Sequence, residues 1–62
     1  MSFRGAREKA GMSANKAAQA IGVSRAAISV WESGKGMPLS ENLLKLAKLY
    51  DCSVDDLLRK EE

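Results

Sequence analysis

Few side chains in this sequence can do covalent chemistry. It has no histidine and a single cysteine, Cys52. Its serines therefore have no imidazole to take up their proton, and neither a Ser-His-Asp nor a Cys-His arrangement can be assembled. One thiol cannot close an internal disulfide, and without a second cysteine or any histidine there is no ligand cluster for a structural zinc. Carboxylate or lysine chemistry stays formally open. Yet 62 residues leave little interior in which to shape a pocket, since a chain this short buries only about 60% of its unfolded surface. No catalytic residue, metal, cofactor or small-molecule ligand is assigned, and an enzyme is not expected.

What remains is the chemistry of charge. Ten Lys and Arg against eight Asp and Glu give +2, a weak pointer to an anionic partner. The distribution is more informative. Through Ser40 there are six basic residues (Arg4, Arg7, Lys9, Lys16, Arg25, Lys35) against two acidic ones (Glu8, Glu32), a net of +4; from Glu41 onward the balance is −2. No apolar run approaches the roughly 20 residues of a membrane span, and the start lacks the apolar core of a secretory leader. The lone cysteine fits a reducing compartment, so a cytoplasmic protein is expected.

The elements that must position these charges read as helices. Segments of alanine, leucine and charged residues are separated by glycine, serine or proline, and β-branched residues never alternate over a strand's length. An all-α fold follows. The first segment runs from about Ser2 to Ala10, with Phe3, Ala6 and Ala10 on one face and Gly11 as its stop. The second begins at a Ser13 cap and runs to about Ala20, ended by Gly22. The third, capped by Ser24, covers Arg25 to Ser33 and stops at Gly34. After the loop from Lys35 to Leu39, Ser40 is expected to cap a helix from Glu41 to about Tyr50, with Leu43, Leu44, Leu46, Ala47 and Tyr50 as its apolar stripe. Ser53 and Asp56 have the spacing of a capping box, opening a short last helix with Val54, Leu57 and Leu58. Residues 1–62 are taken as one domain, with 60–62 as a frayed tail.

Between Ala14 and Ser33, only Gly22, Val23 and Ser24 separate two short helices. So short a gap forbids an antiparallel pair, and the helices must cross steeply. Small Ala18 lets the third helix approach, while Ala17, Ile21, Val23, Ile28 and Trp31 supply the buried points. The core of a helix-turn-helix is therefore placed at 14–33.

At this point the sequence resembles the helix-turn-helix domains of the phage Cro and repressor type, the XRE-type regulators. The resemblance is carried by Arg7-Glu8-Lys9, Gly11-Met12-Ser13, Ala17-Ala18, Ile21-Gly22-Val23-Ser24-Arg25, Ile28-Ser29, Trp31-Glu32-Ser33-Gly34-Lys35, Pro38, Leu43 to Ala47 and Val54 to Leu58. It implies a five-helix, lambda-repressor-like bundle whose third helix enters the DNA major groove while the second lies across the backbone. It also implies a homodimer on a near-palindromic operator, and a bacterial or phage transcription regulator, nucleoid-associated when bound.

Under that resemblance Arg25, Ala26, Ser29 and Val30 are the candidate base contacts. The Arg25 fork matches O6 and N7 of guanine, or else contacts phosphate alone. Ala26 and Val30 could meet thymine methyls; the alternatives are a plain helix former at Ala26 and core packing at Val30. Ala14, Ser24, Ser33, Lys35 and Asn42 are candidate phosphate contacts, Ala14 through backbone N–H groups and the two serines with capping as the competing role. Lys9 and Lys16 read as a solvated face. Arg7 and Glu32 match a family ion pair that fixes the angle of the third helix. Trp31 reads as a core anchor and Cys52 as a packing residue, while Tyr50, Leu57 and Leu58 complete the core or join a dimer surface. Better-known members carry glutamines where Ala14, Ala26 and Ala27 stand, so base readout is expected to be sparse and helped by DNA shape. The competing function is a protein-interaction module that kept the bundle without reading DNA.

Overall fold

The computed structural model describes residues 2–59, among which there are five α-helices and no strand. The assignment of 60–62 as a frayed tail lies outside the described residues. The helices are α1 (Phe3–Lys9), α2 (Ala14–Ile21), α3 (Arg25–Ser33), α4 (Ser40–Leu49) and α5 (Val54–Leu58).

Serines cap four of the five helices, and a left-handed residue follows each of α1 to α4. The hydroxyls of Ser2, Ser13, Ser24 and Ser53 accept from backbone N–H groups three residues on, at 3.0 to 3.1 Å. Each satisfies one of the donors a helix start leaves unpaired. At Ser53 the box is complete: Asp56 accepts the Ser53 N–H, and that bond holds its carboxyl below the ordinary value. Gly22 and Gly34 end α2 and α3 at φ 77° and 81°, where a side chain would strain the backbone. Asp51, at φ 53°, does the same after α4, a conformation that short polar side chains tolerate.

The expected Ser40 cap is not found. Leu39 is the extended residue before α4, no side chain caps the helix, and Ser40 is already helical. Pro38 lies just before this entry. Its fixed φ and its bias on Met37 keep the approach to the helix extended, and with Leu39 also extended the first turn starts at Ser40, one residue early. The fourth helix correspondingly ends at Leu49, with Tyr50 as its C-cap.

The core is assembled from every helix: Phe3 and Ala6, Ala17, Ala18 and Ile21, Ile28, Leu46, Ala47 and Tyr50, and Leu57. Full burial of a Leu or Ile side chain is worth about 1.5 to 3 kcal/mol, so Ile28, Leu46 and Leu57 carry much of the cohesion. α2 packs on α3 and α4, α4 on α5, and α1 spans α3 and α5. Ala17 is wholly buried and Ala18 nearly so, which lets α3 lie close to α2 across the short turn. Val23 and Trp31 pack against this core but are only partly buried. Ala10 and Leu44 were expected to face inward and are exposed, Leu44 by 62%. With Leu43, Leu46, Ala47 and Tyr50 turned to the neighbouring helices, the adjacent Leu44, about 100° around the helix from Leu43, is left outside. Cys52 is half-buried against the core, and burial pushes its thiol up, as suits a packing residue. No described helix is long and apolar enough to cross a membrane.

Candidate nucleic-acid interface

α3 is a short helix packed on α2 and α1 and fixed at both ends. The Ser24 hydroxyl receives the Ala27 N–H at 3.1 Å at one end, and Gly34 turns the chain away at the other. Inward it buries Ile28, with Ala27, Trp31 and Glu32 half-buried beside it. Its opposite edge carries Arg25, Ala26, Ser29, Val30 and Ser33, all exposed. Their spacing of one, four and five residues puts them in one strip along the helix. Val30, with 39% of its surface exposed, belongs to this edge and not to the core.

The orientation of that strip is fixed from α1. Arg7 donates from Nε to Glu32 Oε2 at 2.6 Å and from Nη2 to Oε1 at 3.1 Å, the two-pronged geometry only a guanidinium provides. Its remaining prong, Nη1, donates to the Met12 carbonyl at 2.9 Å. One side chain thus ties α1, the α1–α2 loop and the end of α3 together. Both side chains retain 14% exposure, between a surface pair and a sealed one. The hydrogen bond to Glu32 holds Arg7 above its ordinary value despite partial burial, so its guanidinium stays charged. Behind it, burial chiefly, and then the Glu32 charge, push the Tyr50 phenol up to about 12.

Charge on the strip is uncommitted by comparison. The ion pairs among the described residues are Arg4–Glu8, Arg7–Glu32 and Arg59–Asp55. Arg25 and Lys35 take part in none of them, and both are exposed. The phosphate candidates divide into three kinds. Ser24 uses an acceptor lone pair in its cap and keeps its hydroxyl proton to donate. Ser33 has committed that proton to the Val30 carbonyl at 2.9 Å, so it can donate to a phosphate only by giving up this bond. At the start of α2, Lys16 N–H bonds the Ser13 hydroxyl and Ala17 N–H the Ser13 carbonyl. That leaves the first-turn N–H groups of Ala14 and Asn15 outside the helix's own bonding. Asn42 is half-buried in the first turn of α4, and Lys9 and Lys16 are exposed. Sequence reasoning missed the Met12 carbonyl as the third partner of Arg7, and it missed Gly36, which lies against Val30. The first had no side-chain signal at all, and the second had only a glycine in a loop.

Comparison with known proteins agrees with this architecture. A helix-turn-helix family model matches residues 3–57. The chain is 49% identical over 45 residues to the HTH-type transcriptional activator BcrR of Enterococcus faecalis, covering 73% of this chain and 22% of that protein. It is 51% identical over 39 residues to repressor protein C2 of Salmonella phage P22, covering 63% of this chain and 18% of the repressor. It therefore spans only about a fifth of the length of either relative. The crystal structure of the P22 c2 repressor in complex with a synthetic operator superposes with a TM-score of 0.85 at 39% identity, over 95% of this chain and 89% of that one. These relatives are transcription regulators, not enzymes. A family match over nearly the whole length, on a five-helix bundle of the same shape, establishes that the chain belongs to the helix-turn-helix family, in its XRE-type, phage-repressor branch.

Proposed function

We propose that residues 1–62 form a sequence-specific double-stranded DNA-binding domain of a transcription regulator, reading the major groove with α3. The observation that carries this reading is the exposed strip Arg25, Ala26, Ser29 and Val30, headed by an arginine that no carboxylate among the described residues occupies. An α-helix about 10 to 12 Å across fits a groove of about 12 Å. Arg25 supplies the bidentate contact to guanine, and the small Ala26, with Val30 behind it, lets the backbone come close and touches thymine methyls. Ser24, Lys35 and the α2 N-terminus at Ala14 hold flanking phosphates, with Ser33 and Asn42 in lesser roles. The operator-bound repressor of phage P22 supports the assignment through its likeness of fold. Binding is proposed to be by a homodimer on a near-palindrome, with half-sites about one helical turn apart, and to repress by occupying the site.

The test is selection of bound duplexes from a randomised pool at two salt concentrations. Enrichment of a palindrome with a guanine in each half-site, falling steeply as salt rises, is the expected result. Arg25→Ala is expected to lose about 1 to 3 kcal/mol of affinity and the guanine preference together. No enrichment at either salt overturns the reading. It would turn attention to the exposed apolar side chains Met37, Leu39 and Leu44 as candidate protein contacts.

A further inference from the structure

Val30 is held at the C-terminal end of α3 by the chain that leaves it. Its carbonyl accepts from the Ser33 hydroxyl at 2.9 Å and from the Lys35 N–H at 3.2 Å, so the loop to α4 is folded back beside it. Gly36 then passes against its side chain. A Cβ on Gly36 would stand 3.0 Å from Val30 Cγ1, well inside the roughly 3.5 to 4.0 Å at which carbon atoms settle. The glycines that end α1, α2 and α3 are of another kind. Gly11, Gly22 and Gly34 all have positive φ and no atom within 4 Å of such a Cβ, whereas Gly36 has no left-handed backbone to explain it. Position 36 is a glycine for want of space. To admit a Cβ there, Val30 or the loop would have to give by a few tenths of an ångström, and a β-branched side chain in a helix has little χ1 freedom with which to do so.

We propose that Gly36 is a positioning residue for base selection. Its missing side chain lets the α3–α4 loop lie on Val30 and hold the exposed part of that side chain in one direction. The proposal rests on α3 being the reading helix. A methyl group at position 36 pushes on a stiff neighbour, and the displacement appears where Val30 meets a base, not at Arg25, five residues earlier in the helix.

The experiment compares the parent chain, Gly36→Ala, Val30→Ala and the double variant by duplex selection. Thermal unfolding of each accompanies it. Gly36→Ala is expected to change base frequencies about fivefold or more at the operator positions that Val30→Ala also changes. Positions that depend on Arg25 stay as in the parent. In the Val30→Ala background the second substitution has no further effect, since the obstructed methyl is gone. Three results overturn the proposal: Gly36→Ala selecting the parent sequence, weakening all duplexes alike, or keeping its effect when Val30 is absent. Where Gly36→Ala alone unfolds, the double variant decides, by matching or departing from Val30→Ala. A parent that enriches no duplex defeats the DNA reading and this proposal together; a parent that enriches one while Gly36→Ala copies it defeats this proposal alone.

Discussion

α3 and α4 are nearly equal in length, nine and ten residues, and are held in opposite ways. α4 is held along its flank: Leu46 and Ala47 are buried, Leu43 and Leu49 half-buried, and no side chain caps its start. α3 has one fully buried residue, Ile28, and is held at its ends by the Ser24 cap, the Gly34 turn, the Ser33–Val30 bond and the Arg7–Glu32 pair. A helix that must leave one face free for a partner can be packed only on its other face, as α3 is on α2 and α1. It is fixed by directional bonds at its termini, which cost no surface on the reading edge.

The largest expected effect strikes the flank-held helix. Leu46→Ala removes a side chain that is 1% exposed and should destabilise the fold by about 2 to 5 kcal/mol. Denaturant unfolding measures this, and DNA affinity per folded molecule should be unchanged. Next comes the clamp. Glu32→Ala leaves Arg7 half-sealed with one partner, the Met12 carbonyl, and should cost about 2 kcal/mol, between the values for surface and buried pairs. Its effect on operator binding, measured by titration under conditions where the variant is folded, should exceed that of Leu46→Ala. A like loss of affinity in both would mean that the ends of α3 are not special.

A smaller pair sharpens the same contrast. Ser24→Ala should cost about 1 kcal/mol, whereas Ser40→Ala, at a helical position with no cap to lose, should stay within about 0.5 kcal/mol. Paired melting curves separate them. The gentlest probe is pH. The Tyr50 phenol is raised from 10.0 to about 12 in the folded protein, so the neutral form is favoured there. Its contribution is complete below pH 10 and is lost as pH rises toward 12. Tyr50→Phe should flatten that part of the stability profile.

Much of the fold was legible in the sequence because it is written in serine and glycine. The limits of α3 follow from Ser24 and Gly34 alone, and the box at Ser53 from its spacing to Asp56. Ser40 failed because a serine is a cap only where it is itself the extended residue before the first turn, and here that residue is Leu39. Leu44 failed because two adjacent leucines cannot both face one neighbour, and only tertiary packing decides which does. Of the candidate site, the strip on α3 could be read from helical spacing, and the Arg7–Glu32 pair from a resemblance. The Gly36–Val30 approach could not, since it is a through-space contact whose only sequence trace is an unexplained glycine.

The placement of α1 bears on how the molecule assembles. α2 and α3 pack as sequence neighbours, and so do α4 and α5, but α1 docks on α3 and α5. Loop closure costs more for such distant contacts, so α1 should settle last. Pulse-labelled hydrogen exchange would then find the amides of α2 and α3 protected before those of α1. The unit that carries the reading edge comes together first, and the arginine that sets its angle arrives afterwards, as a latch.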